Sequence, residues 1–208
     1  MDQMIDGFRR FRDNYFANNR PLFDTLAQQG QTPKVLLIGC SDSRVDPTII
    51  FDAQPGEMFV LRNVANLIPP YAPDQGHHGT SAAVEFAVRG LKVEHIVVLG
   101  HARCGGVRAL IDSDPSDQSD FIRGWMQIAR SARDRALALT LSAGHPIEAA
   151  RRMCEQETVA ISLGNLMTFP WIRDQVETGK LMLHGWFYDM EDGKLFRLDP
   201  VTNTFQEV

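Results

Sequence analysis

Residues 80–99, TSAAVEFAVRGLKVEHIVVL, place a helix directly before a strand, and this order decides the fold. Ala82, Ala83, Phe86 and Ala87 recur at helical spacing over Thr80–Gly90, with Gly90 as the stop. The run 95–99, HIVVL, is short, apolar and β-branched, as a strand buried on both faces requires. The same pattern stands upstream at 57–61, EMFVL, so strand, helix and strand form a β-α-β unit with a right-handed crossover. A third run of this kind, KVLLIG at 34–39, ends on Gly39. The chain is therefore read as α/β, with a mainly parallel central β-sheet flanked by helices.

Working outward, helices are expected at 120–139, 146–163 and 169–178, the second facing inward with Ala149, Met153, Ala160 and Leu163. Leu181–Asp189 and Leu195–Asp199 flank MEDGK, whose Asp192-Gly193 is a hairpin signal, so a C-terminal strand pair is predicted. The polar stretch DSDPSDQS at 112–119 reads as a loop inside one domain, because periodic segments resume on both sides. Residues 1–30 read as an N-terminal helical arm of two amphipathic helices. Phe8, Phe11, Tyr15 and Phe16 give it an apolar stripe, to be buried in the core or against a second subunit. The whole chain, 1–208, is taken as a single domain.

Composition narrows the function classes. With 44% hydrophobic and 23% charged residues, the 208-residue chain is large enough for one well-buried core. A net charge of −5 and the lack of a basic stripe argue against a nucleic-acid partner. No apolar run is long enough for a membrane span, and the early acids of MDQMIDGFRRFRDNYF do not suit a leader, so a cytoplasmic location is expected. Three cysteines, an odd number, fit reduced thiols or metal ligands better than a disulfide framework.

The chemistry sits at strand ends. After the first strand comes GCSDSRV, with Cys40, Asp42 and Arg44; after the third comes HARCGG, with His101 and Cys104. Parallel strands deliver their C-terminal ends to one edge, which can bring Cys40, His101 and Cys104 together. Two thiolates and an imidazole are a donor set that zinc prefers. Three protein ligands leave one position open, which indicates hydroxide chemistry rather than a structural site. Cys154, mid-helix in RRMCEQE with no ligand type at the next turn, reads as a free thiol.

Taken together, CSDSRV, RNVAN, GHHGTSAAVEFAV, VVLGHARCGG and SLGNLMTFPWIR resemble a β-class carbonic anhydrase, from about Gln31 to Tyr188. FDAQPGEMFVLRNVANLIPPY is most similar to the plant-type branch, which also occurs in bacteria. The resemblance implies zinc on Cys40, His101 and Cys104, reversible hydration of carbon dioxide to bicarbonate through a zinc-bound hydroxide, and a homodimer that can pair into a tetramer or octamer. Arg44 would hold Asp42 by a bidentate ion pair, leaving that carboxylate to orient the nucleophile. By the same alignment Gly105 offers its amide to bicarbonate, Gln31 is a further donor, and Phe59, Val64 and Phe86 form a small apolar pocket, some of these from the partner subunit. Two thiolates make the zinc water less acidic than in an all-histidine site, so activity is expected to rise toward alkaline pH.

Two departures bear on regulation and binding. Plant-type members commonly carry tyrosine where Phe86 stands, so that hydroxyl is absent here. The branch inhibited by bicarbonate away from the metal carries tryptophan where this chain has Leu37; Arg62 and Tyr188 match other members of that site, but no such inhibition is expected. His77, His78 and His184 are the candidate proton carriers by residue type. Two other readings stand beside this one: a zinc hydrolase of the same fold acting on carbon disulfide, and a noncatalytic zinc-binding module, against which the Asp42–Arg44 pair argues.

Overall fold

A computed structural model describes residues 1–112 and 119–208. Six strands form one sheet: β1 (Val35–Cys40), β2 (Met58–Asn63), β3 (His95–His101), β4 (Met182–Asp189), β5 (Lys194–Asp199) and β6 (Thr204–Glu207), in the order β2-β1-β3-β4-β5-β6. The first four are mutually parallel; β5 and β6 add antiparallel. The expected architecture is therefore present, with two refinements. The hairpin strand β4 pairs with β3 and so continues the central sheet, and the short polar β6 had no counterpart in the sequence reading.

The strands also run further than their apolar runs. Expected to stop at Gly39 and Leu99, β1 and β3 continue to Cys40 and His101, so two candidate ligands are the last residues of their strands.

The helices are α1 (Asp2–Arg10), α2 (Arg20–Gln29), α3 (Pro47–Ile50), α4 (Gly79–Glu85), α5 (Gly105–Asp112), α6 (Ile122–Met126), α7 (Arg130–Ser142), α8 (Ile147–Leu166) and α9 (Pro170–Glu177). The helix expected over 120–139 is two, because a 3₁₀ turn at Gln127–Ala129 separates α6 from α7. The helix of the opening stretch does not stop at Gly90. It widens into a π-helical turn, Phe86–Leu91, and ends on Lys92 in the left-handed region, φ 59°. Residues 113–118 of the expected polar loop lie outside the described residues.

One sheet face carries Leu36, Ile38, Ile96 and Val98 into the main core with Val84, Val88, Val159, Leu166 and Phe169. Helix α8 covers that face, but its inward stripe is Ala150, Cys154, Glu155, Thr158, Val159, Ser162 and Leu166. Ala149, Met153, Ala160 and Leu163, expected there, are only half-buried. The stripe is displaced because three of its members are polar and have partners inside: Ser162 Oγ, for one, donates to Asn66 O and accepts from Ile68 N.

Gly100 in β3 makes this close packing possible. A Cβ there would stand 2.6 Å from Val159 Cγ2, 3.3 Å from Phe187 Cδ2 and 3.4 Å from the Glu155 carbonyl oxygen. Gly100→Ala is expected to push α8 off the sheet and to cost about 1–3 kcal/mol, the usual penalty of overpacking. Urea denaturation at matched protein concentration would read this as a lower midpoint; an unchanged midpoint would show that the helix yields freely.

The N-terminal arm packs unlike the rest. Neither α1, α2 nor the π-helical stretch Phe11–Phe16 between them has a buried residue, and Phe8 and Phe11 are 59% and 40% exposed. The stripe is therefore not core. Its rings cluster with Phe23, and Tyr15 tethers the arm by donating to Gln54 Oε1 at 2.5 Å.

Candidate metal centre

The ends of β1 and β3 and the turn after β3 meet at one point. The ligand atoms of Cys40, His101 and Cys104 all lie within 4.8 Å of one another, and all three residues are buried. His101 and Cys104 are brought to the same side by the turn Ala102-Arg103, where Arg103 takes the left-handed conformation, φ 60°. The backbone energy of that conformation in a non-glycine residue is the cost of aiming Cys104 back at its neighbour.

The donor set fits a metal. His101 Nδ1 stands 2.8 Å from the Ala102 carbonyl, so its proton lies there and the lone pair is left on Nε2. Nε2 is buried and has no hydrogen-bond partner among the described residues. A buried imidazole nitrogen without a partner is costly unless something else fills the place. The neighbouring Cys104 thiol holds the Cys40 thiol well below its ordinary range, and Cys40 with burial pushes Cys104 up. The shift favours the thiolate at Cys40, the form that binds metal.

Asp42 and Arg44 stand beside this group. Arg44 Nε and Nη2 donate to Asp42 Oδ1 and Oδ2 at 2.9 and 2.6 Å, and the Arg44 backbone N–H adds a third bond at 3.0 Å. The Arg44 guanidinium holds the Asp42 carboxyl far below the usual range against the opposing effect of burial. Arg44 Nη2 also donates to the Arg103 carbonyl at 3.0 Å, which ties this loop to the turn carrying Cys104.

A residue absent from the sequence reading completes the surroundings. Glu155 of α8 is buried and accepts the Cys104 N–H at 3.1 Å; burial raises its carboxyl to about 7. Nothing in RRMCEQE marks it, because a mid-helix acid is ordinarily solvated. Cys154 beside it points into the core as a free thiol, with burial raising it to about 12.

The expected substrate groups separate into two sets. Val64 follows directly on Asn63, which is in register with Cys40, and its Cγ1 would stand 2.9 Å from a Cβ on Gly106. Gly105 opens α5 beside Cys104 and lines a cleft of ≈ 660 Å³ with Arg44, Arg108, Arg151 and Glu155. Val64 lines a second, more apolar cleft of ≈ 750 Å³ with Phe121, Trp125 and His78.

Phe59 and Phe86 instead pack against each other with ring centroids 5.7 Å apart and planes tilted by 44°, and Phe59 is in register with Leu36, four residues before Cys40. Phe86 is 53% exposed rather than turned inward. Gln31 is exposed and precedes β1, whereas Cys40 ends it. The strand alone spans roughly 17 Å from Val35 to Cys40 at about 3.3 Å per residue, and Gln31 lies before its opposite end.

The candidate proton carriers also separate. His184 lies four residues before Tyr188, the register partner of His101, and bonds His95 at 3.1 Å instead. His77 and His78 line the cleft of Val64, and His78 Nε2 stands 2.7 Å from Asp74 Oδ1.

Residues 35–195 match the family model for carbonic anhydrase. A carbonic anhydrase of Pseudomonas aeruginosa is 41% identical over 206 residues, 99% of this chain and 90% of that protein. Beta carbonic anhydrase 3 of Arabidopsis thaliana is 37% identical over 204 residues, 96% and 78% of the two chains. The chain belongs to the β-class carbonic anhydrases. Its fold agrees with the solved structure of the β-carbonic anhydrase CcaA at a TM-score of 0.89 and 35% identity, over 100% of this chain and 92% of that one. A tetrameric β-carbonic anhydrase of Sordaria macrospora aligns at 0.83 and 31% identity, over 95% of each chain. As a carbonic anhydrase, the chain is an enzyme that interconverts carbon dioxide and bicarbonate.

Proposed function

We propose that this carbonic anhydrase works through zinc held by Cys40, His101 and Cys104, with Asp42 and Arg44 as its catalytic pair. The observation that carries the reading is His101 Nε2, a buried lone pair with no partner among the described residues, aimed at two sulfurs. Bound zinc supplies the Lewis acidity that makes water nucleophilic at mild pH.

The chain's own groups then account for the remaining steps. Asp42, ionised by Arg44, accepts a hydrogen bond from the nucleophile and keeps its lone pair directed at carbon dioxide. Val64 gives the linear, nonpolar gas an apolar wall. The Gly105 amide at the start of α5 is placed to hold the anionic product. The Glu155 carboxylate fixes the Cys104 amide, so the ligand turn does not drift.

Gln31, Phe59 and Phe86 serve the site of a second subunit in a homodimer. Three features support this: the place of Gln31 before the far end of β1, the arm with nothing buried, and β2, which pairs only with β1. The tetrameric relatives make assembly beyond a dimer part of the proposal. The chain acts as one domain of which residues 1–30 are the arm. No described helix is long and apolar enough to cross a membrane. A cytoplasmic location suits cysteines that must stay reduced to bind metal.

The test is stopped-flow carbon dioxide hydration from neutral to alkaline pH on protein of confirmed zinc content. Asp42 has a depressed pKa, so its ionised form is complete well below neutrality and contributes no step in that window. The expected rise with pH is therefore not the titration of Asp42. A fall over the same window would overturn the reading, and inactivity of fully zinc-loaded dimer would turn attention to carbon disulfide.

A further inference from the structure

We infer that Arg62 is a positioning residue, a clamp that fixes the backbone of the Cys40–Asp46 loop so that Cys40 and Asp42 address the same point. The inference rests on the reading of Cys40, His101 and Cys104 as metal ligands and of Asp42 as the orienting carboxylate. Arg62 lies on β2, in register with Gly39, so its side chain begins one residue short of the loop it holds. From there Nε donates to the Cys40 carbonyl at 2.9 Å and Nη2 to the Asp42 carbonyl at 2.6 Å. Nη1 pairs with Asp46 Oδ2 at 2.8 Å. Asp46 is anchored in turn: its Oδ1 accepts the Thr48 N–H at 2.9 Å and the Thr48 hydroxyl, capping α3.

These bonds place a single guanidinium under both halves of the centre. It grips the carbonyl of a metal ligand and the carbonyl of the residue whose carboxylate orients the nucleophile. The side chain of Asp42 is held by Arg44, and Arg44 reaches the Arg103 carbonyl, one residue before Cys104. Arg62 therefore holds a coordinate that Arg44 does not, the height of the Asp42 backbone relative to Cys40, together with the Ser41 N–H, which donates to the Asn63 carbonyl at 2.8 Å. A planar fork is needed for this: three of its N–H groups point at three acceptors in different directions, which a lysine ammonium on a flexible stem does not reproduce. The same commitments leave this fork occupied by the loop rather than open to a free anion, and Leu37 beside β2 adds no ring to stack on one.

The experiment compares Arg62→Lys in the wild-type and Asp42→Asn backgrounds by stopped-flow kinetics, zinc loss to a chromogenic chelator and melting temperature. In the wild-type background kcat should fall ~10-fold or more, with zinc loss accelerated by a similar factor, the scale on which groups behind a metal ligand act. In the Asp42→Asn background the same substitution should lower kcat no more than about 2-fold, because the orienting carboxylate is already gone, while zinc loss should still accelerate because Cys40 remains. Equal kcat factors in both backgrounds would make Arg62 merely structural and overturn the inference. So would unchanged kcat and zinc loss.

Should Arg62→Lys fail to fold, Asp46→Asn replaces it, since Asn caps α3 as well as Asp while weakening the anchor. It should move kcat and zinc loss in the same directions by ~3-fold, within the range for such supporting groups, and no movement would again overturn the clamp. Wild-type protein that is inactive or binds no zinc would sink the metal-centre reading before any substitution is made, and the clamp with it.

Discussion

Cys40→Ser is expected to leave a folded chain that retains well under one zinc per subunit and hydrates carbon dioxide at least ~1,000-fold more slowly, a loss of about 4 kcal/mol of transition-state stabilisation. The substitution exchanges one atom at a buried position, so packing is nearly conserved. The donor is not conserved: a serine hydroxyl is a harder and far less acidic group than the thiol it replaces. In the native chain the Cys40 sulfur is held toward thiolate by Cys104. A hydroxyl gains nothing comparable, and His101 with Cys104 is left as a two-ligand site. Metal analysis and stopped-flow kinetics on the same preparation check this. Full zinc with activity within tenfold of wild type would remove Cys40 from the centre.

The second large effect separates orientation from metal binding. Asp42→Asn should lower kcat by about 100-fold at unchanged zinc content, the scale of one positioned acceptor or a small misplacement of the reacting groups. Asn has the shape of Asp but only one carbonyl oxygen. Its NH₂ must face either the Arg44 guanidinium, donor against donor, or the nucleophile, where an acceptor is required. Because Asp42 is already ionised through the neutral and alkaline range, the variant should keep the shape of the pH profile and lose only its height. A kcat within about threefold of wild type would exclude Asp42 from catalysis, whereas lost zinc would make it a structural group.

Much of this was legible in the sequence because the informative residues are adjacent in it. Strands β1, β2 and β3 show as short apolar runs, and the ligand types follow two of those runs directly, so topology alone carries Cys40, His101 and Cys104 to one edge. What was not legible depends on partners distant in the chain. The α8 stripe was misassigned because its buried face includes Glu155 and Ser162, polar residues whose partners at Cys104 and in the Asn66–Ile68 segment are distant in the chain. Strand β6 is too short and polar to carry an alternating pattern. Phe86 belongs to a helical pattern in the sequence, and its ring lies on the surface against Phe59, a position that periodicity within one chain does not specify.

Cys40 ends β1 and His101 ends β3, adjacent strands whose ladder is already closed at Gly39–Leu99. Folding the sheet thus fixes two of the three donors in place before any ion arrives, and the entropy of organising them is spent once, on the fold. Cys104 alone sits on a turn, carried by a left-handed Arg103 and held by single bonds from Arg44 and to Glu155. The third donor therefore owes its position to bonds made by Arg44 and Glu155, while the other two owe theirs to the sheet.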